Sequence, residues 1–404
     1  MFLSNFFVKK KKKPVILHLV TWYPSSENPA DGIFIKRQIQ LLAAESNYRH
    51  IVIRKNPKPV SVTGHLLSLA AGLNTENENG LQMISLPAKS RLYKRLFWRY
   101  QRTIEQRILS NLVRKIKPSL LHLHVVYGFA HEALFIKKQF GVPFIISEHM
   151  GPFPFEWLQD KETIIKKPIE AASAVVAVSW AQAKQIESFT GITPVIIPNV
   201  VNENEFYYKG ADAIKNEKDI VELVFVGIYT EAKGADYLLK VFPYLLKKYP
   251  NCHLNLVGSA TPERIGYLTQ QVTESGIDHD VKFHGLLSPA ALCALYQQSD
   301  FYVCSSQWES FGLSVLEALF TGLPALSTNC GGVNDFINSQ NGILILNDQK
   351  NETLLNGLLQ MMATLSSFNR KVIAANVRKD FSKAVIKEKY NKIYTTILQS
   401  NTAW

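Results

Sequence analysis

Two carboxylates, Glu309 and Glu317, bracket the stretch of this 404-residue chain most able to do chemistry. Phe301, Tyr302 and Val303 form an apolar, β-prone run that reads as a buried parallel strand. Leu313, Leu316 and Phe320 recur at helical spacing, and Gly322 with Pro324 ends the helix. Glu309 stands just before the helix and Glu317 well inside it. Phe311, Gly312 and Leu313 lie at its start, where backbone N–H groups lack intrahelical acceptors and suit a phosphate. A carboxylate at a helix start can serve only the dipole, and Glu309 taken alone is open to that reading. Glu317 sits on a mostly apolar helix, where a charge needs a partner: a basic group of the protein or a ligand hydroxyl.

The arrangement resembles the Glu-x7-Glu signature of retaining glycosyltransferases of the GT4 family. Asn329-Cys-Gly331-Gly332-Val-Asn-Asp335, then Asn341-Gly342, follow as they do in that family. The resemblance implies the α/β GT-B fold, two facing Rossmann-like domains with the active site in the cleft between them. It also implies sugar transfer from a nucleotide-sugar with retention at the anomeric carbon. Glu309 would then lie by the sugar, and Glu317 would take the ribose hydroxyls. The amides of Phe311, Gly312 and Leu313 would hold the diphosphate.

The remaining motifs extend the likeness over most of the chain. Val15–Val20 is a strand breaking into a loop with Trp22 and Gly32, before a helix from Ile33. A strand, a glycine-bearing loop and a helix put ligand at the carboxyl edge of a sheet. The loop resembles the family's N-terminal loop, which places Gly32 near donor phosphate and Trp22 near acceptor. Residues 57–80 read as a polar, irregular insertion. Pro118–His124 reads as a strand in which His122 and His124 share a face. With no further ligand cluster evident, packing is expected for His122 and no metal site is expected. The strand ending in Glu148 and His149 is similar to the family element whose histidine orients the donor sugar, so His149 takes that role and Glu148 is a candidate acceptor contact. Val221–Gly227 opens the second domain. The turn after Gly227 carries, in the family, an Arg and a Lys on the diphosphate. Lys233 matches the Lys, but Ile228 stands at the Arg position. Gly258, in a Val-Gly-Ser turn, falls near the phosphates, and Leu286, after Gly285, would offer backbone groups to the base.

Composition bounds the rest. Length favours two domains, 1–202 for the acceptor and 203–380 for the donor, with the last helix crossing back onto the first. Four scattered cysteines argue against a disulfide framework or zinc site and suit a reducing, cytoplasmic compartment. No apolar run reaches membrane-spanning length. The formal net charge is +12. Lys9–Lys13 is unbroken, and residues 89–117 hold ten basic residues against Glu105 alone. There Leu92, Leu96, Tyr100, Ile104 and Ile108 form an i, i+4 stripe. A basic amphipathic helix, Arg91–Arg107, either packs on the core or meets an anionic membrane at the cytoplasmic face. No nucleic-acid motif is visible, and no G-x-G-x-x-G indicates a dinucleotide. The expectation is therefore a metal-independent, cofactor-free hexosyltransferase. It would act on a glycan or lipid-linked acceptor in polysaccharide or lipopolysaccharide synthesis. The alternative is a GT-B-like scaffold that has lost catalysis, suggested by Ile228.

Overall fold

The computed structural model describes residues 13–24, 31–55, 61, 63, 68–69, 72–87, 98–210 and 220–400, with the side chains of 98–101 excepted. The chain divides into two compact units. One holds the described residues up to Glu148, with Asp160–Val176 and those from Tyr390 onward; the other is His149–Gln159 with Ala177–Lys389. Residues 149–159 and 177–202 group with the second unit.

In the first unit the chain runs β1 (Val15–Val20), α1 (Ile33–Ala43), β2 (Arg49–Arg54), β3 (Asn74–Glu78), β4 (Leu81–Ser85), α2 (Trp98–Ile116), β5 (Leu120–His124), α3 (Ala130–Phe140) and β6 (Phe144–Glu148). A π-turn, Glu162–Lys166, leads into α4 (Lys167–Ala171) and β7 (Ala174–Ala177). The strands are ordered β3-β4-β2-β1-β5-β6-β7. β1 runs parallel to β2 and β5, β2 to β4, and β5 to β6, whereas β3 is antiparallel to β4. That hairpin corrects the irregular reading of residues up to 80. Its turn is Asn79-Gly80, both at positive φ, the requirement of a tight two-residue hairpin. β3 (Asn-Thr-Glu-Asn-Glu) has no apolar alternation, so only the turn announced it.

The described part of α2 buries Leu109, Leu112 and Val113, together with Glu105. The packed face is thus turned by about one residue from the expected stripe, leaving Ile104 and Ile108 half-buried. Glu105 faces Lys55 Nζ at 3.7 Å, which explains how the single acidic residue of a basic segment comes to be inside. Arg91, Arg95, Leu92, Leu96 and Lys9 to Lys12 lie outside the described residues.

The second unit continues with α5 (Trp180–Thr190), β8 (Val195–Ile196), β9 (Val221–Val226), α6 (Ala235–Leu246), β10 (Cys252–Val257), α7 (Pro262–Glu274), β11 (Val281–Gly285), α8 (Pro289–Gln298) and β12 (Phe301–Cys304). Then come α9 (Leu313–Phe320), β13 (Ala325–Thr328), β14 (Gly342–Ile345), α10 (Asn351–Thr364), α11 (Arg370–Phe381) and α12 (Lys383–Ser400), whose residues from Tyr390 group with the first unit. Its sheet is ordered β11-β10-β9-β12-β13-β14, all parallel. Both faces are buried: Val224, Tyr302 and Cys304 join one core cluster, and Leu223, Phe225, Phe301 and Val303 the other. This accounts for unbroken apolar strands in place of alternation. Taken from β9, the order is third-second-first-fourth-fifth-sixth, the doubly wound pattern whose direction reverses between β9 and β12. In open α/β sheets of this order, ligands bind at the carboxyl edge beside such a reversal.

Candidate functional site

The turn after β9 carries Lys233 and the segment after β12 carries Glu309, so both stand at the reversal point. Lys233 Nζ donates to Glu309 Oε1 at 2.6 Å. Ser306 Oγ donates to the same oxygen at 2.8 Å. The two segments are sewn together by backbone: Gln307 N–H donates to Ala232 O at 2.8 Å, and Ser305 Oγ to Gly234 O at 2.8 Å. A Cβ on Gly234 would overlap the Ser305 carbonyl. On its other side Glu309 N–H donates to Cys330 O at 2.7 Å, and Gly332 N–H donates to Glu309 O at 2.8 Å. Desolvation opposes the Lys233 charge, but the Glu309 carboxylate outweighs it and the ammonium titrates above its ordinary range. Lys233 is therefore held as an ammonium at neutral pH.

Gly312 precedes α9 at φ 88, a left-handed conformation, and no side chain caps the helix. Phe311 beside it is buried and packs edge-on against Phe336, and Leu313 begins the helix. Glu309 therefore lies next to backbone N–H groups at a helix start. Glu317, on α9, is buried, and its charge acts on the Tyr296 hydroxyl. Gly227 and Gly258 follow the adjacent parallel strands β9 and β10: a Cβ on Gly258 would overlap the Gly227 carbonyl oxygen, and Gly258 sits at φ 151. The sequence singled out both glycines without showing that the Gly227 carbonyl is what leaves no room for a side chain at Gly258. Leu286 is 67% exposed and Ile228 58% exposed; the latter presents a hydrocarbon where the family pattern has a cation.

His149 belongs to this unit too. Its Nδ1 and Asn199 Oδ1 are 2.9 Å apart. Burial pushes the imidazole down to about 4, against a smaller upward pull from Asn199. A neutral ring that donates from Nδ1 carries its lone pair on Nε2, an acceptor suited to a hydroxyl. Two residues on, Gly151 lies against Trp308 Nε1 and Ser310 Oγ, which a Cβ would meet at 2.5 Å. Ser179 Oγ donates to Ser310 O at 2.7 Å, and Asp335 accepts the Trp180 N–H at 2.8 Å. Gly151, Ser179 and Trp180 are thus fastened to the 308–335 chain that carries Glu309. Asn199, Ser306, Ser179 and Cys330 were not found from sequence: each is a small polar residue whose only signal is proximity.

In the first unit Gly32 starts α1 at φ 63, and a Cβ there would meet the Trp22 carbonyl at 2.6 Å. Glu148 is wholly buried and accepts the Val126 N–H at 3.0 Å, so it braces the carboxyl end of β6. His122 and His124 do share a face, with rings stacked at 4.1 Å. His18, from β1, joins them, and its nitrogens approach His124 Nε2 at 3.0 Å and His50 Nδ1 at 2.8 Å. His122 bonds the Tyr394 and Ser147 hydroxyls, each at 2.7 Å. Among the described residues His18, His122 and His124 are the one group with metal-ligand proximity. These hydrogen bonds already engage both nitrogens of His18 and of His122, the pattern of a packed polar network. Burial, then His50 and His124, keep His18 neutral.

Comparison with known proteins agrees with this architecture. The profile of glycosyl transferases group 1 matches residues 211–379, and that of glycosyltransferase family 4 matches 44–205. The chain belongs to the GT-B glycosyltransferases. A phosphatidylinositol N-acetylglucosaminyltransferase polypeptide of Arabidopsis thaliana is 21% identical over 72% of this chain and 65% of its own length. The chain spans less than two thirds of the curated relatives it first matches. Among solved structures, sucrose-phosphate synthase from Thermosynechococcus elongatus superposes with a TM-score of 0.74 at 18% identity, over 96% of this chain and 100% of that one. Anabaena HepE, in complex with UDP and glucose, gives 0.71 at 17% identity, over 95% and 100%.

Proposed function

We propose that this chain is a retaining, metal-independent glycosyltransferase that moves a hexose from a nucleoside-diphosphate sugar to a glycan or lipid-linked acceptor, in cell-surface polysaccharide or lipopolysaccharide synthesis. The carrying observation is the hydrogen-bonded Lys233–Glu309 contact at the strand-order reversal, beside the uncapped start of α9. A departing diphosphate develops negative charge, and a preorganised ammonium with helix amides stabilises it without reorganisation. Lys233 is shared between Glu309 and that anion. With Ile228 offering no second cation, the amides of Phe311, Gly312 and Leu313 carry much of the load. Glu309 faces the sugar, the neutral His149 accepts a sugar hydroxyl, and Glu317 takes the ribose. Retention follows from attack on the same face, guided by the leaving phosphate. The glycosidase pattern of paired catalytic carboxylates is not required.

HepE's bound UDP and glucose support a diphosphate-sugar donor, and the phosphatidylinositol relative supports a lipid acceptor. Among the described residues no helix is long and apolar enough to cross a membrane. The basic segments Lys9–Lys13 and Arg91–Arg107 would bring the protein to an anionic, cytoplasmic surface. Thermal unfolding against nucleoside diphosphates tests the donor site: a ligand at a hundred times its Kd stabilises by about 2.7 kcal/mol. A shift with one base that Glu317→Ala abolishes supports the reading. The exposed Ile228 favours a second reading, a non-catalytic scaffold. A folded protein that no donor shifts, with or without added divalent metal, would select it.

A further inference from the structure

Cys304 ends β12 and Cys330 follows β13, and their sulfurs lie 4.0 Å apart in the core beneath the Lys233–Glu309 pair. Both are buried. Each belongs to one wall of the Glu309 pocket. Cys304 runs directly into Ser305 and Ser306, whose hydroxyls hold Gly234 and Glu309. Cys330 accepts the Glu309 N–H through its own carbonyl. Thr328 ties the walls together, donating to Ser306 O at 2.6 Å. We infer that Cys304 and Cys330 form a peroxide-sensitive dithiol site, whose oxidation to a disulfide displaces Glu309 and stops transfer.

The hydrogen bond from Cys330 holds Cys304 below the usual thiol range against the cost of burial, while Cys330 is pushed up. Cys304 is therefore the attacking thiolate. Its sulfur attacks one oxygen of hydrogen peroxide, breaking the O–O bond; the departing hydroxide is protonated to water and Cys304 becomes a sulfenic acid. The Cys330 sulfur then attacks the Cys304 sulfur and expels hydroxide, which leaves as water with the Cys330 proton. Two thiols and one peroxide give one disulfide and two waters, the two electrons coming from sulfur. Burial selects the oxidant: a small, neutral peroxide enters by local opening, and a charged peptide disulfide does not. Sulfurs 4.0 Å apart must close to about 2.05 Å. That draws the two walls of the pocket towards each other, and a misplacement of about 1 Å at reacting groups costs on the order of 100-fold in rate.

The consequence for transfer rests on the proposed function; the chemistry of the pair does not. The reduced protein is treated with hydrogen peroxide, quenched, unfolded and alkylated, then mapped by peptide mass. In parallel, transfer is measured before oxidation, after it, and after dithiothreitol. A Cys304–Cys330 peptide, with Cys252 and Cys293 still alkylated, and a roughly 100-fold loss restored by the reductant is the expected result. Cys304→Ser, which removes the attacking sulfur, should then keep a treated-to-untreated ratio near one. Full alkylation of both thiols after peroxide overturns the inference, as does a cross-link that leaves the rate unchanged. If no donor is turned over before oxidation, the glycosyltransferase reading fails, and the peptide map still decides for or against the dithiol.

Discussion

His149→Gln provides a test whose size follows from the structure. The imidazole ionises near 4 in the fold and near 6.5 in an unfolded chain. The unfolded state therefore binds more protons between these values, and folding stability rises with pH across that window. The contribution of His149 is complete above 6.5 and is lost as pH falls towards 4. A gap of about 2.5 pH units at 1.36 kcal/mol each gives on the order of 3 kcal/mol. Glutamine keeps an N–H for Asn199 but has no proton to gain in this range. The assay is urea unfolding of wild type and variant at intervals from pH 7 to pH 4, following the transition of the second unit. The wild-type advantage should shrink by about 3 kcal/mol over this range, because His18 and every other titrating group is common to both proteins. An advantage constant within about 1 kcal/mol would show that His149 is not a buried neutral imidazole, and its role as an acceptor for the sugar would fall with it.

Glu309→Gln should lower the transfer rate by at least about 100-fold while the fold persists, since it strips the counter-charge from Lys233. Lys233→Ala in the same background should add little, and an additive double mutant would show the two act separately. Gly258→Ala should abolish nucleotide-dependent thermal stabilisation and destabilise the second unit by about 2 kcal/mol or more, because its Cβ would overlap the Gly227 carbonyl; unchanged binding would refute the turn's role. Tyr394→Phe should cost about 1–3 kcal/mol by leaving His122 with a lost partner in the core, read by urea unfolding, and a neutral result would mean the network is dispensable. Vesicles rich in phosphatidylglycerol should sediment the protein at low salt and release it at high salt; salt-independent behaviour would remove the membrane from the proposal.

The sequence by itself determined the parts that depend on local order. Apolar runs, helix stops and glycines at strand ends marked β9, β12 and α9, because period and turn chemistry are written within a few residues. The resemblance to the GT4 family, carried by motifs of a few residues each, exposed Glu309, Lys233, Gly258 and Gly312 as candidates and flagged Ile228 at the position of a cation. Local order failed where the signal is tertiary. The β3–β4 hairpin has a polar strand that only pairing makes regular, and the buried face of α2 is set by Lys55 and the sheet, not by the stripe of Ile104 and Ile108. His18, His50, His122 and His124 arrive from three strands and meet only through parallel register. Whether Lys233 touches Glu309 depends on β9 lying beside β12, a neighbour relation between segments 76 residues apart. The strand-order reversal creates that adjacency and with it the Lys233–Glu309 contact, while the pairing of β12 with β13 brings the two thiols together and burial keeps His149 neutral. Each of these is a property of distance and burial, which a linear chain does not carry.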